Sequence, residues 1–183
     1  NHPDVEVEFA LTNRSRDVPL SWEVPPDELG RELDRMKTRR FTRSELHYIL
    51  GTDEYGQRMF RPKYMEHLRE LTLPDYHLGV TYEGQLDLRF VGSWASAMHW
   101  EVPALSAING LRTRKALRAM SAFERDDVMA TGVARLGEKI RIIRQYPGLT
   151  FCDFGTRRRF HRAWQRYVDQ TLASELPGQF LGT

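Results

Sequence analysis

Hydrophobic and polar positions change period several times along the 183-residue chain, and each change marks an element. Val5 to Leu11 alternates apolar and polar side chains, which predicts a half-buried strand, and Asn13 to Asp17 reads as the turn after it. Leu29, Leu33 and Met36 then recur at helical spacing behind Pro25-Pro26-Asp27-Glu28, a start with proline in the first turn and acids at the positive end. Thr42 and Glu45 have the spacing of a capping box and Gly51 is the expected stop, so a second helix lies between them. Pro62 opens a third, carrying Tyr64, Met65, Leu68 and Leu71. Alternation returns in Leu78, Val80 and Tyr82 and, after a Glu83-Gly84 turn, in Leu86, Leu88 and Phe90, predicting a hairpin.

Beyond Gly92 the period is helical again through Trp94, Met98, Val102, Leu105, Ile108 and Leu111, and Pro103 is expected to kink this helix because it removes a backbone donor. A long helix follows from Phe123 to Gln145, with Val128, Leu136, Ile140 and Ile143 inward and Tyr146-Pro147-Gly148 as its stop. Leu149 to Phe154 is a short, mostly apolar run of the kind expected for a parallel strand covered on both faces. Gly155 breaks it. A helix is predicted from Thr156 to about Leu176, with Phe160, Ala163, Trp164, Tyr167, Val168 and Leu172 on one face. Pro177-Gly178 ends it, and Gln179 to Thr183 reads as the next strand of a β-α-β unit. A full β/α barrel takes about 250 residues, so the chain is expected to begin an α/β architecture that it does not finish. The opening on Asn1, with a strand pattern almost at once, implies residues missing upstream.

Composition narrows the class. A hydrophobic share of 40% and an aromatic share of 11% support a real core. Cys152 is the sole cysteine, which rules out an intrachain disulfide, argues against structural zinc and fits a reducing compartment. No apolar run approaches the roughly 20 residues of a membrane-spanning helix, so a cytoplasmic protein without a membrane partner is expected. A net charge of +2 does not suggest a general nucleic-acid binder. Only Lys37, Lys63, Lys115 and Lys139 are lysines, so the basic side chains are mostly guanidiniums, suited to carboxylate and phosphate. For the bulk of them the preferred reading is the codon bias of a GC-rich genome.

Candidate chemistry concentrates at the junction Asp153-Phe154-Gly155-Thr156-Arg157-Arg158-Arg159. Ligands of parallel sheets bind at the carboxyl ends of strands, and a helix N-terminus there favours an anion. Gly155 lets backbone come close, Thr156 offers a hydroxyl, and Phe154 offers a ring face to a flat ligand. Arginines in a first helical turn oppose the helix dipole, a cost that a bound phosphate or carboxylate would relieve. The alternative is a solvated arginine run beside a core phenylalanine. Elsewhere, Trp94 and Trp100 read as core packing, and Glu101, His99, His161 and Cys152 as structural or solvated groups. Asp126-Asp127 reads as charge at a helix start and Thr52-Asp53-Glu54-Tyr55 as a loop. A second class of function, an arginine-rich nucleic-acid module on Arg157, Arg158, Arg159, Arg162 and Arg166, would bind oligonucleotides with steep salt dependence.

Three stretches in register resemble the nicotinate phosphoribosyltransferase family. They are Gly84 to Phe90 running into Gly92-Ser93-Trp94, then Trp100-Glu101-Val102-Pro103-Ala104-Leu105, and Asp153 to Phe160; Phe180-Leu181-Gly182-Thr183 is similar to the start of the family's Gly-Thr-Ser-Asn motif. The resemblance implies a type II phosphoribosyltransferase fold: an N-terminal α/β domain, here residues 1–147 with its own start missing, packed on an incomplete β/α barrel that opens at 148–183. It implies a homodimer that joins nicotinate to 5-phosphoribosyl-1-pyrophosphate, giving nicotinate mononucleotide and pyrophosphate in NAD salvage, with ATP hydrolysis as driver and Mg2+ as metal. Phe154 matches the phenylalanine that stacks on the pyridine ring. Arg157 and Arg158 match arginines near the donor phosphates or the nicotinate carboxylate, Thr156 stands beside them, and Thr183 would line the next loop. The phosphorylated histidine is expected downstream, so no catalytic residue is assigned within the chain, which alone is expected to be inactive. The family's early Thr-Asp-x-Tyr motif is absent, and Thr52 to Tyr55 only mimics it. A nicotinamide-specific relative is the nearest alternative; Thr156-Arg157-Arg158 favours the acid substrate.

Overall fold

The computed structural model describes residues 3–54, 57–155 and 160–182. In chain order the elements are strand β1 (Glu6–Ala10), helices α1 (Leu20–Glu23), α2 (Pro26–Lys37) and α3 (Arg43–Leu50), strands β2 (Asp53–Glu54) and β3 (Gln57–Arg58), and helix α4 (Pro62–Glu70). Then come β4 (Tyr76–Val80), β5 (Leu86–Ser93), α5 (Trp94–Ala97), a 3-10 turn (Met98–Trp100), α6 (Glu101–Ala119), α7 (Ala122–Ile143) and α8 (Arg162–Glu175). No helix among the described residues is long and apolar enough to cross a membrane.

The hairpin forms as its alternation requires. β5 lies between β1 and β4 and pairs antiparallel with both. Gly84 closes the turn at φ +75°, a left-handed conformation that a side chain disfavours. Register aligns Phe9, Phe90 and Tyr76 across the sheet, and Leu88 with Leu78. Three of the intervening positions carry charge and interact: Arg89 Nε donates to Asp87 Oδ1 at 2.7 Å and Arg89 Nη1 lies 3.7 Å from Glu8 Oε1. That hydrogen bond holds the Asp87 carboxyl below the usual carboxylate range. β1 differs from expectation in being largely exposed, since it is an edge strand with one neighbour.

α2 and α6 cover the inner face. Leu29, Leu33 and Leu88 are fully sealed there with Val24, Ile108 and Leu111, each leucine contributing about 2 kcal/mol of hydrophobic stabilisation. Trp100 is 0% exposed; its ring stacks on Phe90 at 4.9 Å, meets Tyr76 edge-on at 5.8 Å, and its Nε1 donates to Pro74 O at 2.9 Å. Core packing therefore holds for Trp100 but not for Trp94, which stands half exposed at the start of α5. Pro103 does not kink a helix either. The chain breaks earlier, at Met98–Trp100, and Pro103 falls in the first turn of α6, where a missing N–H removes no intrahelical bond.

A second apolar cluster joins α4, through Met65 and Leu68, to Phe41, Leu46 and Ile49 around α3. α3 carries the expected capping box, with Glu45 N donating to Thr42 Oγ1 at 3.2 Å, and Gly51 caps its other end. Where the sequence suggests a loop after α3, Asp53 pairs with Arg58 and Glu54 with Gln57 in a short ladder. α7 also begins with a capping box, Ser121 and Glu124, one that the hydrophobic pattern does not announce. Its buried Leu136 and Ile140 pack on Leu172 and Leu176 of the α8 region, with Phe151 and Phe180 at the edge of that third cluster.

Candidate substrate-binding junction

The segment after α7 runs beside the segment after α8 in parallel. Phe151 N donates to Gln179 O, Leu181 N to Phe151 O and Asp153 N to Gly182 O, each at 2.9 Å. This is the β-α-β crossing that the sequence suggests, reduced to one parallel bridge, Phe151 to Phe180. It places Phe154, Gly155 and Gly182 together at the carboxyl ends of the two segments, where ligands of such units bind.

Pleating then separates the side chains into two faces. Phe151 turns toward α7 and α8 and packs on Phe180, ring centroids 5.7 Å apart. Cys152 and Phe154 alternate to the other face and are exposed. Phe151 thus packs with the α7–α8 cluster, whereas Cys152 and Phe154 lack the cover expected on both faces. Phe154 is 85% exposed, which argues against the core-phenylalanine alternative and leaves its ring open to a flat partner.

The backbone under that ring is held firmly. Asp153 Oδ2 accepts from Gly155 N at 3.2 Å and from Gln165 Nε2 at 2.5 Å, and buried Gln165 also donates to Asp169 Oδ1 at 2.8 Å. A side chain on Gly155 would put a Cβ 2.5 Å from Gln165 Oε1 and 2.6 Å from Asp153 Oδ2, so those two side chains would have to shift to admit one. Asp153 is therefore a positioning residue with its carboxylate turned inward. Gln165 and Asp169 belong to this support, and the sequence carries no local signal for them.

The helix start differs from expectation. α8 begins at Arg162 and not at Thr156, because His161 is its N-cap: backbone extended at φ −160°, Nδ1 accepting from Trp164 N at 3.0 Å. Thr156, Arg157, Arg158 and Arg159 lie outside the described residues, as does Thr183. Of the sequence-derived site residues, Phe154 alone can be placed.

The remaining candidates lie elsewhere. His99 stands in a ring cluster with Tyr64 and His67, centroids 6.4 Å and 5.9 Å away. Burial, and secondarily His67, pushes its imidazole pKa down. His67 Nε2 lies 3.1 Å from Ala95 O. Among the described residues no three His, Cys, Asp or Glu side chains gather as metal ligands.

Residues 1–109 match the family described as the nicotinate phosphoribosyltransferase (NAPRTase) N-terminal domain. The fold is similar to a crystal structure of nicotinate phosphoribosyltransferase from Vibrio cholerae, with a TM-score of 0.70 and 24% identity over 99% of this chain and 42% of that one. It is similar also to that of nicotinate phosphoribosyltransferase from Porphyromonas gingivalis, with a TM-score of 0.73 and 22% identity over 100% of this chain and 44% of that one. The chain thus spans less than half the length of either structure, and identities this low speak to fold alone. With more than half of its residues under the domain family and nearly all of it following the same fold, the chain belongs to the nicotinate phosphoribosyltransferase family.

Proposed function

We propose that this chain is the front portion of an enzyme that joins nicotinate to 5-phosphoribosyl-1-pyrophosphate in NAD salvage, acting as a cytoplasmic homodimer. Residues 1–147 are its N-terminal domain and 148–183 open its β/α barrel. The observation that carries the reading is Phe154: an exposed ring at the carboxyl end of a parallel pair, on backbone clamped by Asp153, Gly155 and Gln165. A flat pyridine ring stacks there. Thr156, Arg157 and Arg158 follow directly in sequence, and their hydroxyl and guanidiniums hold the nicotinate carboxylate or the donor phosphates. Thr183 lines the neighbouring loop.

The bond from the pyridine nitrogen to ribose C1′ forms as the bond from C1′ to the pyrophosphate oxygen breaks, and that electron pair leaves with pyrophosphate. Charge growing on the leaving group is what guanidiniums stabilise. ATP belongs to the reading as the driver and Mg2+ as the metal. Among the described residues no three His, Cys, Asp or Glu side chains gather that could hold it.

The test is an assay of the full-length enzyme with nicotinate, 5-phosphoribosyl-1-pyrophosphate and ATP, with nicotinamide in a parallel reaction. Nicotinate mononucleotide is the expected product, and nicotinamide should be the poorer substrate. Phe154→Ala should raise the KM for nicotinate severalfold, the loss of about 1 kcal/mol of stacking. No consumption of nicotinate would end the proposal.

A further inference from the structure

A side chain remote in sequence reaches the carboxyl end of the parallel pair. Tyr48 lies on α3, whose Leu46, Ile49 and Leu50 pack toward Met65 and Leu68 of α4. Position 48 falls off that apolar face of the helix, so its ring projects away from α4 and is 73% exposed. The hydroxyl lies 3.9 Å from where a Cβ on Gly182 would stand. Gly182 O accepts from Asp153 N at 2.9 Å across the pair, and Phe154 is the next residue. Neighbouring strands lie about 4.8 Å apart, so the hydroxyl reaches the mouth at which the Phe154 ring stands. Among the described residues it has no hydrogen-bond partner.

We infer, on the reading of Phe154 as the ring that stacks on pyridine, that Tyr48 is a further substrate-binding residue of this site. Its hydroxyl donates to an anionic oxygen of the ligand, either the nicotinate carboxylate or a phosphate of the donor. A phenol suits that place. Arg157 and Arg158 already supply positive charge in sequence beside Phe154, and a neutral O–H fixes the direction of the same oxyanion without adding more. The side chain has only two torsions to order, so holding it costs little entropy. Its base is firm as well: α3 is closed by the Thr42–Glu45 capping box at one end and by Gly51 at the other. The alternative, a solvated tyrosine on a helix surface, predicts no effect on either substrate.

Steady-state kinetics of the full-length enzyme and its Tyr48→Phe variant test the role, with nicotinate and 5-phosphoribosyl-1-pyrophosphate varied in turn at saturating ATP. Losing the hydroxyl should raise the KM of one substrate about tenfold, as expected for one hydrogen bond to a charged group. A contact made equally in ground state and transition state acts on KM, so kcat should stay within about twofold of the parent. A higher KM for nicotinate assigns the hydroxyl to the carboxylate, and a higher KM for the donor assigns it to a phosphate. Tyr48 is exposed, so Tyr48→Phe should keep the parent melting temperature. His47→Ala, at its exposed neighbour on α3, should leave both KM values unchanged. An active parent whose Tyr48→Phe variant keeps both KM values, or is matched by His47→Ala, would overturn this assignment alone. So would a fall in kcat accompanied by a lower melting temperature. A parent enzyme that consumes no nicotinate would overturn it together with the reading of Phe154.

Discussion

At Gly155 the space for a side chain is already occupied by the carboxamide of Gln165 and the carboxylate of Asp153. Gly155→Ala must push those two side-chain ends apart and weaken the Asp153–Gln165 hydrogen bond, a cost of about 1 kcal/mol. Urea unfolding should report a loss of that size, whereas Gly148→Ala, with nothing within 4 Å, should stay close to the parent. His99 supplies a test by pH. Its Nε2 is buried without a hydrogen-bond partner, and burial with nearby His67 lowers its pKa from the ordinary 6.5. The unfolded chain therefore takes up the His99 proton at a higher pH than the folded one, so stability should fall as pH drops below about 6.5, and level off under the lowered folded value. A thermal series from pH 8 to pH 5 should show that slope, and His99→Phe should flatten it. An unchanged slope would place the acid sensitivity on other groups.

Two glycines in α7 separate helix propensity from packing. Gly137 has open space, so Gly137→Ala should stabilise α7 by about 0.5–1 kcal/mol. Gly132→Ala carries the same propensity gain, yet its Cβ would sit 2.8 Å from Trp164 Cη2, with the ring on α8. It should lower the melting temperature and shift Trp164 fluorescence; equal gains from both would mean that α7 and α8 do not pack this way. The same contrast explains what could be read from sequence. Periodicity and caps located α2, α3 and the β4–β5 hairpin, because Leu29 and Leu33, Thr42 and Glu45, and Gly84 act on near neighbours. Gly155 as the stop of a short apolar run was legible too, as a local signal, whereas the exposure of Phe154 was not, since an apolar run reads equally as a covered strand. The start of α8 was not: His161 is a weak capping type, and its hold on Trp164 N depends on an extended backbone that no periodicity reveals. The support of Asp153 by Gln165 was equally hidden, because twelve positions separate them and only the folded crossing brings them together.

Across the whole molecule, stability is unevenly distributed. The sheet with α2 and α6 buries an eleven-residue apolar cluster around Trp100, whereas α7 and α8 close over four buried residues, Leu136, Ile140, Leu172 and Leu176. The smaller cluster is supplemented by an ion pair between Arg144 and Glu175 at the protein surface, where such pairs contribute little. Local opening follows local burial. Amides of α8 and of the segment around Phe151 should therefore exchange with solvent at lower opening free energies than those of β5 and α6. Leu172→Ala should accelerate exchange in the α7–α8 region while leaving the sheet protected, and Leu88→Ala should weaken the sheet. Uniform protection along the chain, or Leu172→Ala loosening β5 equally, would instead make the molecule a single cooperative unit.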